Sequence, residues 1–118
     1  MEYAEEVCVS PIAVLRLLDA GQSESAARAL IGLVLHSSAL APALEVALSA
    51  ARSPDLIVRG NALLGFGHLA RRFGEIPRNP VYDLVVRGLA DPDSHVRGQA
   101  DAAADDLAQF LGWNMERP

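Results

Sequence analysis

An internal repeat constrains this chain more than any single motif in it. Shifted by 38 residues, PALEVALSAARSPDLIVRGNALLG (42–65) lies over PVYDLVVRGLADPDSHVRGQADAA (80–103) without a gap. Pro42/Pro80, Pro54/Pro92, Asp55/Asp93, Val58/Val96, Arg59/Arg97, Gly60/Gly98 and Ala62/Ala100 are identical pairs, and Glu45/Asp83 and Val46/Leu84 are conservative. Residues 10–38 form a degenerate first copy, in which Ala29-Leu30-Ile31-Gly32 matches Ala62-Leu63-Leu64-Gly65 at an offset of 33. A repeat of this length is one supersecondary unit that buries its apolar face only against its neighbours, so three copies fold as a stack.

Proline divides each unit. Ser10-Pro11, Ser53-Pro54, Asn79-Pro80 and Asp91-Pro92 each place a capping side chain ahead of a residue suited to the first helical position. Ala41-Pro42 and Ser23 mark two further starts. Helices are therefore expected at about 11–20, 23–37, 42–52, 54–74, 80–90 and 92–112. No segment shows strand alternation bounded by turn residues. The expectation is an all-α fold of about six helices forming a single domain over 1–118, with repeat 1 at about 10–38, repeat 2 at about 41–75 and repeat 3 at about 79–113.

Composition agrees with that reading and excludes several functions. Hydrophobic residues make up 51% of the 118 but aromatics only 5%, so Leu, Val and Ala must fill the core. The basic residues are all Arg, and the net charge is −5. That balance argues against nucleic acid as a partner and favours a basic protein surface. A lone Cys8 excludes an internal disulfide and a multi-cysteine zinc site, and reads as a small apolar residue. The opening residues MEYAEEVCVS lack a basic leader, and no apolar run is long enough to span a membrane, so the expected address is the cytoplasm.

DPDSHVRGQADAAADDL (91–107) and SPDLIVRGNALLGFGHL (53–69) resemble HEAT repeats and their shorter HEAT-like relatives, whose pattern is D-P-x-x-x-V-R-x-x-A-x-x-A-L. The resemblance covers about 80 residues and implies a short right-handed α-solenoid of three helix hairpins. It also implies an inter-repeat ladder between the Asp before Pro and the Arg six residues on, which Asp91 and Arg97 match. Ser53 departs from the pattern, leaving Arg59 to find another acceptor, Asp55 or Asp93.

The same chain contains GFGHLA (65–70), which fits the dinucleotide fingerprint G-x-G-x-x-G/A. Context defeats it. The fingerprint needs a strand before the first glycine, whereas Gly65 lies well inside a helix. On a helical wheel with Val58 at zero, Ala62, Gly65 and Leu69 fall within about 40° of it, the stripe expected to pack on the unit's own first helix. Gly60, Leu63, Gly67 and Arg71 fall opposite, at about 140–220°, with His68 at their flank near 280°. We read that side as the open, concave face. Its counterparts are Leu30 and Val34 in the first unit and Gly98, Asp101, Asp105 and Gln109 in the third, with Asp106 at the edge. The expected partner-binding face therefore runs from apolar to acidic, its apolar part covered in an alternative reading by the N-terminal segment or by a second copy in a homodimer.

No chemistry emerges elsewhere. His36, His68 and His95 show no metal-ligand spacing, there is no nucleophile elbow, and no cofactor is implied. His68 with Asp105 or Asp106 is the one acid–base pair that can be drawn. Arg71 and Arg72 read as a solvated helix end, and Trp113 as a cap over the last unit. The expectation is a non-catalytic protein-binding module. In size and acidity it is similar to bacterial immunity proteins, some HEAT-like, which neutralise a cognate toxin in toxin–antitoxin or contact-dependent inhibition systems. That likeness implies carboxylates set against a basic, nuclease-type cleft. Two alternatives stay open: an adaptor in a larger complex, and a HEAT-like lyase resembling those that handle bilins.

Overall fold

The computed structural model describes residues 9–117, so Cys8 lies outside the described residues. Among the described residues six α-helices follow one another: α1 (Pro11–Asp19), α2 (Ser23–His36), α3 (Leu40–Ala50), α4 (Leu56–Phe73), α5 (Val81–Leu89) and α6 (Ser94–Leu111). The fold is all-α. Consecutive helices pair as hairpins α1/α2, α3/α4 and α5/α6, and the second helices α2, α4 and α6 lie side by side with α4 in the middle. One continuous apolar cluster runs through all three hairpins, with Phe66 its largest fully buried side chain.

The turn that repeats in sequence repeats in structure, but not with proline at the first helical position. Ser10 does cap α1, its Oγ accepting from the Ala13 N–H at 3.1 Å with Pro11 following. In the later hairpins the cap is the aspartate after proline. Asp55 Oδ1 accepts from the Ile57 and Val58 N–H groups at 3.0 Å each, and Asp93 Oδ2 from Val96 N–H at 3.0 Å. Ser53 Oγ and Asp91 Oδ1 in turn accept from the N–H groups of those aspartates, at 3.1 and 2.9 Å. The expected starts at 54 and 92 thus move to Leu56 and Ser94, because two linked side-chain turns hold proline outside the helix. α3 begins earlier than expected, at Leu40, and carries Pro42 within its first turn, where the N–H groups have no intrahelical partner. α5 begins at Val81 with Pro80, not Asn79, at its N-cap. Gly74 and Gly112 end α4 and α6 in the left-handed conformation at φ 75° and 70°, which L side chains rarely adopt.

Arg59 joins the second and third hairpins, and its acceptor is neither Asp55 nor Asp93. Its guanidinium donates to Asp91, with Nη2 3.1 Å from Oδ2, while Nη1 donates to the Ser53 and Pro54 carbonyls at 3.1 and 3.3 Å. Arg97 makes the equivalent local bonds, to the Asp91 and Pro92 carbonyls at 2.8 and 3.0 Å. Each arginine ties down its own turn. Arg59 also reaches forward to the next.

Glycines set how closely the second helices approach. A Cβ on Gly67 would stand 2.8 Å from Asp106 Oδ2 and 3.2 Å from the Ala103 Cα, and one on Gly60 would stand 2.9 Å from the His95 ring. Gly65 faces Val34 of α2, at 3.2 Å, and not the unit's own first helix as the wheel suggested. Close packing is its reason; the partner is the preceding hairpin.

Two outcomes follow for stability. Gly67→Ala gains about 1 kcal/mol of helix propensity but overpacks a backbone contact, at about 1–3 kcal/mol, so urea unfolding should show a net loss. Gly65→Ala, which meets only the Val34 side chain, should lose less. For Asp91, the Asp93 N–H bond chiefly holds the carboxyl below its usual 3.8, opposed by burial and reinforced by Arg59 and Arg97. A carboxyl lowered in the folded state stabilises above its unfolded pKa, and that contribution disappears as pH falls toward the folded value. Asp91→Ala should therefore cost about 2 kcal/mol near neutral pH, with the gap from wild type closing below about pH 4 in urea titrations.

Candidate protein-binding face

The stripe assigned to the open face turns out to be the seam between second helices. Leu30 and Val34 are 0% exposed and Leu63 is 2% exposed, all packed within one chain. Gly60 and Gly67 are buried against α6. Leu63 points toward α5, where a Cβ on Gly88 would lie 2.5 Å from its Cδ1. These five residues are therefore not available to a partner, because the stacked hairpins bury them. Asp101 and Asp105 occupy the matching positions of α6, where no other described helix covers them. They are exposed and both pair with Arg117, which donates to Asp101 Oδ1 and, at 2.9 Å, to Asp105 Oδ1.

The face that does stay open lies about 80° further round the wheel. In α4 it comprises Ile57, Asn61, Leu64, His68 and Arg71, all exposed or half-buried; in α6 the matching residues are Gln99, Ala102, Asp106 and Gln109. In α2 the matching apolar residues are Ile31 and Leu35, both half-buried. Thus His68, Arg71, Asp106 and Gln109 fall on or beside the surface as expected, and Asn61, Leu64, Gln99 and Ala102 were missed.

Hydrogen bonds run across this face from helix to helix. Asn61 Nδ2 donates to the Ala27 carbonyl at 3.3 Å, and Gln99 Nε2 donates to Asn61 Oδ1 at 3.1 Å. One polar rung thus spans α2, α4 and α6. A second tie sits at the far end of α4, where Arg72 donates to the Val34 and Ser37 carbonyls at 2.8 and 2.7 Å. Arg72 is therefore not a free solvated end. It satisfies carbonyls that the end of α2 leaves without intrahelical donors.

Arg71 Nη2 lies 3.1 Å from His68 Nδ1. A guanidinium can only donate, so Nδ1 accepts and the neutral ring carries its proton on Nε2. Burial foremost, then the Arg71 charge, push the His68 pKa below 6.5, and Asp106 across the seam pulls it back up. Among the described residues no group of three or more His, Cys, Asp or Glu side chains could hold a metal, and no helix is long and apolar enough to cross a membrane. Trp113 lies over the third hairpin, 6.3 Å from the Tyr82 ring, with Arg78 above both rings.

An NMR titration of the His68 ring checks this electrostatic picture. Arg71→Gln should raise its pKa and Asp106→Asn should lower it further, whereas Gln109→Ala should leave it in place. No family model, curated protein or solved structure matches the chain.

Proposed function

We propose that this protein is a non-catalytic binding module that takes a basic protein surface across the open face of α2, α4 and α6. The observation that carries the reading is the Ala27–Asn61–Gln99 rung. It fixes the Asn61 and Gln99 side chains of α4 and α6 against a backbone carbonyl of α2, beside the half-exposed Ile31, Leu64 and Ala102. Side chains held in place before binding lose less freedom on association, and apolar positions within a polar frame are the composition of a protein interface.

Charge supports a basic partner. Asp106 has no ion pair among the described residues, and the exposed Asp101 and Asp105 on the same helix share one arginine, Arg117, so the three carboxylates keep a net negative charge. A carboxylate cluster beside an apolar strip would mainly speed association with a cationic cleft, while the apolar contacts would govern dissociation. On the HEAT-like resemblance, the partner we infer is a toxin domain whose basic cleft this face masks, making the chain an immunity protein.

A photo-crosslinking side chain at Ala102, used in the source cell, tests the reading. It should capture one basic protein whose toxicity is relieved by the wild-type chain. Capture should fall at least tenfold when Asp106→Lys is added, about 1.4 kcal/mol of binding. Capture that is unchanged by Asp106→Lys, or a captured protein that is acidic or harmless to the cell, would overturn it.

A further inference from the structure

A crevice of about 340 Å³ opens between the second and third hairpins, on the side of their turns and away from the face described above. Its walls come from the end of α3 (Ala51, Arg52), the start of α4 (Arg59, Leu63), α5 (Leu84, Arg87, Gly88), the following turn (Asp91) and Val96 of α6. Leu63, Leu84 and Val96 are buried and make its apolar part. Gly88 lets Leu63 and Ala100 pack directly on the α5 backbone, since a Cβ there would meet both.

Three guanidinium side chains and a single carboxylate line this space, in a chain whose net charge is −5. Asp91 is matched by Arg59, at 3.1 Å. Arg52 donates to the Leu48 carbonyl at 3.0 Å, and neither it nor Arg87 has a carboxylate partner among the described residues. Two positive charges therefore remain uncompensated beside a small apolar hollow, against the sign of the protein as a whole. The size is that of a small-ligand pocket, and a guanidinium offers paired donors to a carboxylate or phosphate.

We propose that this crevice binds a small amphipathic anion, a carboxylate or phosphate head on a short apolar body. The head sits between Arg52 and Arg87 and the body lies over Leu63, Leu84 and Val96. The Arg59–Asp91 bridge forms the polar rim. Because the same residues join the second and third hairpins, an occupant also ties those hairpins together. This site is independent of the partner-binding face, which uses none of these side chains.

Phenylacetate and phenyl phosphate are suitable probes, with neutral phenylacetamide as the control, and amide NMR shifts report the site. The anions should bind saturably with a Kd between about 0.01 and 1 mM, shifting Gly88 and Val96, and whichever anion binds tighter identifies the head group. Arg52→Gln and Arg87→Gln, both at exposed positions, should each weaken binding about tenfold while circular dichroism stays unchanged. Arg71→Gln should have no effect. Equal binding of phenylacetamide, no saturable shift at Gly88 and Val96, or unchanged affinity in both arginine variants would each overturn the proposal.

Discussion

The approach of α4 to α6 through Gly67 is the contact on which the rest of the structure depends. With no side chain at Gly67, the Ala103 backbone and the Asp106 carboxylate come within a distance that any Cβ would close. Gly60 makes the same allowance for the His95 ring one end along. Once the two helices lie this close, Gln99 can reach Asn61, Asp106 comes beside His68, and Arg59 can span to Asp91. Glycine inside a helix costs about 1 kcal/mol against alanine, and here that cost is offset by a closer approach of α4 to α6 than a side chain at Gly67 would allow without displacing Asp106.

Position along the stack explains why the copies differ. The middle helix carries Gly60, Leu63 and Gly67 at its seam, and the last carries Gly98, Asp101 and Asp105 at the same register. No other described helix packs on the outer side of α6, and that side is polar, with Asp101 and Asp105 exposed. Arg117 then returns across Asp101 and Asp105 and covers part of that end. Arg97 keeps the turn bonds of Arg59 without a carboxylate partner among the described residues.

The repeat, the six helices and the absence of strands among the described residues were legible because they depend on local capping chemistry and on self-similarity. Helix starts were off by about two residues at Ser53-Pro54 and Asp91-Pro92, since two side chains compete for one cap and only geometry shows that the second aspartate wins. The larger error concerned the face. A helical wheel gives the angle between residues but not the side on which the neighbouring helix lies, so Leu30, Val34, Leu63 and Gly67 fitted an open groove as well as a seam. The discriminating sign was present in the sequence: Leu63 and Gly67 become Asp101 and Asp105 only in the last copy. Positions that a described neighbouring helix covers stay apolar or small, whereas those left uncovered turn acidic. Arg72 bonding to the end of α2 and the Asn61–Gln99 rung depend on inter-helix distance, which no spacing along the chain encodes.

The central claim is that the stacked hairpins bury Leu30, Val34 and Leu63 and present Leu64 and Ala102 to solvent. Methyl NMR with a soluble paramagnetic chelate measures this directly, because the probe broadens only what it can approach. The account predicts strong broadening of the Leu64 and Ala102 methyl signals while those of Leu30, Val34 and Leu63 remain sharp. Broadening of Leu63 and Val34 to the extent seen for Leu64 would show that the seam is open and would contradict it.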